Sequence, residues 1–314
     1  MDIPVLADVI SARQRVAPYI HRTPVLTSTL VDKIAGCKLF LKCENFQKSG
    51  AFKYRGATNA ILTLGEEARQ RGVITHSSGN HAGALSRAAV SRGVRAMIVM
   101  PHNAPAIKRR AVEDYGAEIT FCEPTLASRE ETAAELVATT GGTLVHAYDN
   151  FFVIAGQGTA AIELMEDVDN LDILVAPVGG GGLLSGTITA VRGLKPGITV
   201  IGAEPAGADD ARRSFLLDDL IPSVNPDTIA DGLRTSLSER TFSIIKGGAD
   251  DIVTVSEEMI KDSMLLVWER MKIVIEASSA TAIAAVREHP SLFSGKRTGV
   301  IITGGNVDLK SLPF

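Results

Sequence analysis

Asp172-Ile-Leu-Val-Ala-Pro-Val178 runs straight into Gly179-Gly180-Gly181-Gly182, and then into an apolar stretch that opens Leu183-Leu184-Ser185-Gly186. An unbroken apolar run bounded by glycine is the pattern of a buried strand. The rest of the chain repeats the theme. Strands are expected at Lys38–Glu44, Val73–Ser77, Ala96–Met100, Glu118–Cys122, Ile173–Val178, Val200–Glu204, Asp251–Val255 and Gly299–Thr303. Helices are expected to begin near Ser49, Asn80, Pro105, Leu126, Ile154, Leu183, Ala208, Ser256 and Ser278. Such alternation predicts an α/β protein whose parallel sheets are covered on both faces. At 314 residues the chain is long enough for two lobes. No repeat period or low-complexity linker marks a boundary between them.

The four glycines carry no side chains to block approach. Their N–H groups can converge on a phosphate at a helix start, where the dipole favours an anion. The segment is not a P-loop, since no Gly-Lys-Ser/Thr follows. Nor is it a dinucleotide fingerprint, since Leu184 or Ser185 occupies the last glycine position. The plain alternative is a flexible turn, but four adjacent glycines weaken a fold and call for a compensating role.

Two further patches follow strands. Thr75-His76-Ser77-Ser78-Gly79-Asn80-His81 groups donors suited to holding a carboxylate at a helix start, with ordinary capping by Ser78 or Asn80 as the alternative. Thr303-Gly304-Gly305-Asn306-Val307-Asp308 offers a hydroxyl that could meet a ring nitrogen, or is simply a turn. Lys53, in Ser49-Gly50-Ala51-Phe52-Lys53-Tyr54-Arg55-Gly56, is crowded by small and apolar neighbours. A desolvated lysine has a lowered pKa and can act as nucleophile or base, as Schiff-base chemistry with an aldehyde cofactor requires.

Composition excludes other classes. The balance of 32 basic and 36 acidic residues gives −4, and aromatics are only 5%, so neither nucleic acid nor an anionic membrane is an expected partner. Cys37, Cys43 and Cys122 form no C-x-x-C pair and read as free thiols in a reducing cytosol. The N-terminus lacks a basic region and no apolar run reaches the ~18 residues of a membrane span, so a cytoplasmic protein is expected.

In this order the patches resemble the fold-type II pyridoxal-phosphate enzymes, in the serine/threonine dehydratase and serine racemase branch. The markers are Glu44-Asn-Phe-Gln-Lys-Ser-Gly-Ala-Phe-Lys53-Tyr-Arg-Gly-Ala57, Ser77-Ser-Gly-Asn-His81, Gly156-Gln-Gly-Thr159, Gly179–Gly182, Ile229-Ala-Asp-Gly232 and Thr303-Gly-Gly-Asn-Val-Asp308. The resemblance implies two lobes, each with a mainly parallel twisted sheet flanked by helices: residues 73–149 as the smaller, residues 1–72 and 150–314 as the larger. It implies that Lys53 holds pyridoxal phosphate and later removes the substrate Cα proton. Phe52 would pack on the ring, Asn80 would bond the ring oxygen, Gly179, Gly180, Gly181 and Gly182 would bind the phosphate, and Thr303 would face the ring nitrogen. Ser77, Ser78, Asn80 and His81 would surround the substrate carboxylate. Thr303 stands where serine is usual, and Ala51 stands where many relatives have serine. Ala51 occurs in a subset that includes 3-hydroxyaspartate dehydratases. A neutral hydroxyl at the ring nitrogen, rather than a carboxylate, favours prompt loss of a β-leaving group.

By the same resemblance Glu204-Pro-Ala-Gly-Ala208-Asp-Asp210 is a divalent-cation loop, with the Glu204 and Asp210 carboxylates and the Ala208 carbonyl on Mg²⁺ or Ca²⁺. A solvated acidic loop is the bland alternative. Arg129, in Ser128-Arg129-Glu130-Glu131, is either a surface arginine or the reader of a distal substrate carboxylate. The expected activity is dehydration of a β-hydroxy amino acid, 3-hydroxyaspartate first and L-serine or L-threonine next, to a 2-oxo acid and ammonia. A serine or aspartate racemase is the rival, with Ser78 as proton donor opposite Lys53; a non-catalytic metabolite-binding protein is a remote one. A homodimer is expected. The chain ends at Phe314, which leaves no room for the regulatory domain of biosynthetic threonine dehydratases.

Overall fold

A computed structural model of the chain describes residues 2–104 and 106–312. Pro105, the expected start of one helix, lies outside the described residues; that helix runs Ala106–Asp114. Two sheets organise the fold. The larger has six strands in the order β1-β2-β10-β7-β8-β9. These are β1 (Val25–Leu26), β2 (Lys38–Cys43), β7 (Ile173–Pro177), β8 (Thr199–Pro205), β9 (Asp251–Val255) and β10 (Arg297–Ile302). Only the β1–β2 pairing is antiparallel. The smaller sheet, order β5-β4-β3-β6, is wholly parallel. It comprises β3 (Val73–Thr75), β4 (Ala96–Pro101), β5 (Glu118–Cys122) and β6 (Thr143–Leu144).

Period-two alternation sends residues to opposite faces of the larger sheet. Val300 and Ile302 join Leu39, Leu41 and Val175 in a core under the Ala277–Glu288 helix. Ile301 instead joins Leu174, Ala176 and Val200 under the helices Phe151–Asp167 and Gly182–Leu194. Both faces are therefore apolar, which is why these strands read as continuous hydrophobic runs. The core of the smaller sheet also takes Tyr54, Ala57, Ala60 and Ile61 from the helix that begins at Lys53.

The helix expected near Ser49 begins instead at Lys53. Ser49 (φ 62°) and Gly50 (φ 71°) are left-handed, and Ala51 bridges Gly304, so the chain turns a corner before the helix can start. Just past that corner, Arg55 is fully buried. It donates to both Glu44 oxygens (2.7 and 2.8 Å) and to both Glu163 oxygens (2.8 and 2.7 Å). Lys42, equally buried, adds a 2.7 Å bond to Glu163. The forked guanidinium thus ties the Lys53 helix to the end of β2 and to the Phe151–Asp167 helix.

The marker Gly156-Gln157-Gly158-Thr159 lies inside that last helix. Its glycines face backbones: a Cβ at Gly156 would meet the Gly56 Cα at 2.6 Å, and one at Gly158 the Gly186 carbonyl at 2.5 Å. This motif is helix packing that brings the Lys53 helix and the glycine-loop helix onto one scaffold.

Candidate active site

Because β2, β10, β7 and β8 are parallel neighbours, their carboxyl ends share one edge of the larger sheet. The Lys53 segment, Thr303, Gly179–Gly182 and Glu204–Asp210 all follow strands at that edge, where open α/β sheets place ligands. In the smaller sheet the segments after β3 and β6 carry Ser77–His81 and His146–Asp149.

Lys53 Nζ donates to the Ala147 carbonyl (3.0 Å), and so ties the two lobes' segments together. Lys53 is half-buried, and burial lowers its pKa to about 8, with Glu276 pulling it back up. Lys53 is also the first residue of its helix, where the dipole disfavours a cation. Phe52 lies beside it, its ring centroid 5.0 Å from Nζ, and the Phe52 N–H is held by the Thr303 carbonyl at 2.9 Å.

At the glycine loop, Gly181 is left-handed (φ 84°) and caps the 13-residue Gly182–Leu194 helix without a side-chain bond. Among the described residues, no acceptor takes the N–H groups of Gly179, Gly180 or Gly181. A Cβ at Gly180 would collide with the Tyr148 ring. Unsatisfied donors at a helix start, with no room for side chains, fit a phosphate. Together with a lysine amine of lowered pKa, they fit pyridoxal phosphate.

The Asn80–Val90 helix is capped by Gly79, again with no side-chain bond, so Ser78 and Asn80 are not spent on capping. Ser77 Oγ accepts only from the Gly79 N–H, at 3.3 Å. Asn80 reaches a segment beside the larger sheet: its Nδ2 donates to Glu276 Oε1 (2.7 Å). His81 is buried, with Nε2 on the Val145 carbonyl (3.1 Å) and Nδ1 unpartnered; burial and Lys53 lower its pKa to about 3. Thr303 is buried with its hydroxyl 2.8 Å from Ser279 Oγ. Arg129 lies in the Leu126–Thr140 helix; burial lowers the pKa of His76, with Glu130 opposing that shift and Arg129 adding to it. Arg129 bonds only its own Thr125 carbonyl (3.4 Å), and no carboxylate pairs with it among the described residues.

Sequence reasoning missed Glu276, Ser279 and the His146–Tyr148 strap. Glu276 is fully enclosed, and burial, then Asp231, raise its pKa to about 8. Its signal was legible: a single acid between Ile273-Val274-Ile275 and Ala277. His146 Nδ1 accepts from the Asp149 N–H (2.9 Å), which leaves its proton on Nε2, and its ring stands edge-on to Tyr148 at 4.5 Å.

Near the end of β8, Glu204 is buried and spends its oxygens on the N–H groups of Ala211 (3.0 Å) and Arg212 (2.9 Å). Asp210 is 1% exposed, and neither of its oxygens has a well-formed hydrogen bond, although the Ser223 hydroxyl lies near. Among the described residues no group of three or more His, Cys, Asp or Glu side chains could hold a metal ion. Cys37, Cys43 and Cys122 are all free and buried. No helix among the described residues is long and apolar enough to cross a membrane.

Known proteins match this arrangement along the whole chain. The β-hydroxyaspartate dehydratase of Paracoccus denitrificans is 50% identical over 314 residues, covering 100% of both chains. The crystal structure of serine racemase from Dictyostelium discoideum superposes with a TM-score of 0.93 at 50% identity, covering 97% of this chain and 99% of that one. The crystal structure of a T.th. threonine deaminase gives a TM-score of 0.93 at 43% identity, covering 98% and 99%. These neighbours share the fold-type II architecture. Residues 16–304 match the family described as pyridoxal-phosphate dependent enzyme, and with its half-buried lysine and open glycine cradle this chain belongs to that family.

Proposed function

We propose that this enzyme is an ammonia-lyase that dehydrates a β-hydroxy amino acid, 3-hydroxyaspartate before L-serine or L-threonine, to a 2-oxo acid and ammonia. The observation that carries the reading is full-length 50% identity to a β-hydroxyaspartate dehydratase. Bound pyridoxal phosphate supplies an electron sink for the charge left at the substrate Cα. The chain's own residues do the rest. Lys53, with an amine neutral above about pH 8, would hold the cofactor and would serve as the base for the substrate Cα proton. The N–H groups of Gly179, Gly180, Gly181 and Gly182 would hold the phosphate, Phe52 would flank the ring, Asn80 would meet the ring oxygen, and Thr303 would face the ring nitrogen as a neutral partner. Ser77, Ser78 and Asn80, at a helix start with free N–H groups, take the substrate α-carboxylate, with His81 as a neutral ring behind them. Arg129 is the reader of a second, distal carboxylate.

A divalent cation is proposed at Glu204, Asp210 and the Ala208 carbonyl. The support is the buried Asp210 carboxylate, whose oxygens lack well-formed partners, beside a second buried carboxylate. All-oxygen donors suit Mg²⁺ or Ca²⁺. Residues 73–149 are proposed as the smaller lobe, and the working form as a cytoplasmic homodimer, in keeping with three reduced thiols.

Keto-acid and ammonia release from resolved 3-hydroxyaspartate isomers, against L-serine and L-threonine, tests the substrate. A large preference in kcat/KM for one hydroxyaspartate isomer supports it; equal or better turnover of serine or threonine contradicts it and removes Arg129 as the distal reader. The racemase reading is favoured by the serine racemase likeness and by Ser78. Chiral analysis of recovered amino acid separates the two: inversion faster than keto-acid release would make racemisation the main activity.

A further inference from the structure

Three hydrogen bonds link the Ser49 carbonyl, Asn306, Asn80 and Glu276 in series, Asn306 donating to both of its neighbours. The series starts at a group that cannot turn over. The Ser49 carbonyl only accepts, and Asn306 Nδ2 donates to it at 2.8 Å. That contact fixes which end of the Asn306 amide is nitrogen. The same Nδ2 donates its second hydrogen to Asn80 Oδ1 at 2.9 Å, so the Asn80 oxygen must face Asn306. The Asn80 nitrogen then faces Glu276, donating to Oε1 at 2.7 Å. One N–H of Asn80 remains. We propose that Asn306 is a positioning residue that, through the Ser49 carbonyl and with Glu276 opposite, locks the Asn80 amide so that its free N–H is presented to the ring oxygen of the cofactor. This rests on the reading that Asn80 meets that oxygen.

Backbone geometry supports the lock independently. Ser49 holds a left-handed conformation (φ 62°) uncommon for a side-chain-bearing residue, and this conformation belongs to the corner whose carbonyl takes Asn306. Gly50 follows at φ 71°, and a Cβ there would collide with Asn306 Oδ1. The corner is shaped around the Asn306 amide. Asn306 is itself exposed, so a floating amide would be free to turn; an anchored one is not. On the far side, a Cβ at Gly304 would come within 2.7 Å of Glu276 Oε1, so the absence of a side chain there leaves room for the Glu276 carboxyl.

A donor on the ring oxygen stabilises its ionised form, so losing the donor raises the pH at which that oxygen titrates. The test is a pH titration of the visible absorption of the cofactor-loaded enzyme. Asn306→Asp places an acceptor where Asn80 Oδ1 needs a donor and turns the Asn80 amide. Gly50→Ala displaces Asn306 by that collision while leaving both amides chemically intact. Both are expected to raise the titration midpoint by about one pH unit, about tenfold in proton affinity. Asn80→Ala, which removes the donor outright, should raise it at least as far. If Asn80→Ala moves the midpoint but neither of the other variants does, the lock is overturned while the role of Asn80 stands. An unmoved midpoint in Asn80→Ala overturns both. Two chemically different routes to the same displacement guard against one variant misfolding.

Discussion

Burial lowers the pKa of Lys53 to about 8 even though Glu276 pulls it up, and burial raises that of Glu276 to about 8. Burial favours the neutral amine and the neutral acid alike. Capture of pyridoxal phosphate by the cofactor-free protein should therefore accelerate as pH rises through about 8 and level off above it. Stopped-flow absorbance across pH checks this; a midpoint near the ~10.4 of a free lysine would contradict it. Glu276 has the linkage sign of a raised acid. Its contribution to stability is complete below the ordinary carboxylate value of 4.5 and is lost as pH rises through about 8. Glu276→Gln, which keeps an acceptor for Asn80, should flatten the decline of cofactor-free stability across that window, as read by denaturant melts at stepped pH. Lys53 was legible in the sequence from its small neighbours. Glu276 was not read, because its partner Asn80 is 196 positions away and only the fold brings them together.

Elements are positioned by buried polar groups as much as by apolar packing. Arg55 is the clearest case: it joins a strand end and two helices through Glu44 and Glu163. Arg55→Met leaves both carboxylates buried with one fewer cation, and a loss of about 3–5 kcal/mol is expected in equilibrium unfolding. A change under about 1 kcal/mol would put the clamp on the scale of a surface pair. At the end of β8, the proposed cation should raise the stability of the protein by about 2.7 kcal/mol at a hundredfold excess over its dissociation constant. Asp210→Ala should abolish that rise, and a variant that still responds to Mg²⁺ or Ca²⁺ would move the site elsewhere. Strand placement followed from apolar runs. Glu118–Cys122 and Asp251–Val255 coincide with the observed strands, whereas Val73–Ser77 ends at Thr75, and β10 begins at Arg297 rather than Gly299. The short strands β1 and β6 were not read, because two residues are too few to show a period. Helix onsets were harder. The left-handed pair Ser49–Gly50 delays one helix to Lys53, and the Leu6–Val16 and Glu239–Gly248 helices carry patterns too mixed to be read.

Across the whole molecule, function follows from sheet order. Four parallel strands place four separate sequence patches along one edge, and the smaller sheet delivers Asn80 and the His146–Tyr148 strap to the opposite side. Strand–glycine–helix patterning announced the parallel sheets. The order β2-β10-β7-β8 could not be read, since pairing joins strands far apart in the chain and leaves no local trace. Lys108 and Asp231 form an ion pair between the Ala106–Asp114 helix and the Asp231–Leu233 turn, one more tie across the cleft. All of this converges on one amine. The most direct measurement is borohydride reduction of the enzyme loaded with pyridoxal phosphate, followed by peptide mapping. The label is expected on Lys53 alone, and Lys53→Ala should take up none. A label on Lys48 or Lys108, or none on the wild-type chain, would contradict the assignment of Lys53 as the residue that holds the cofactor.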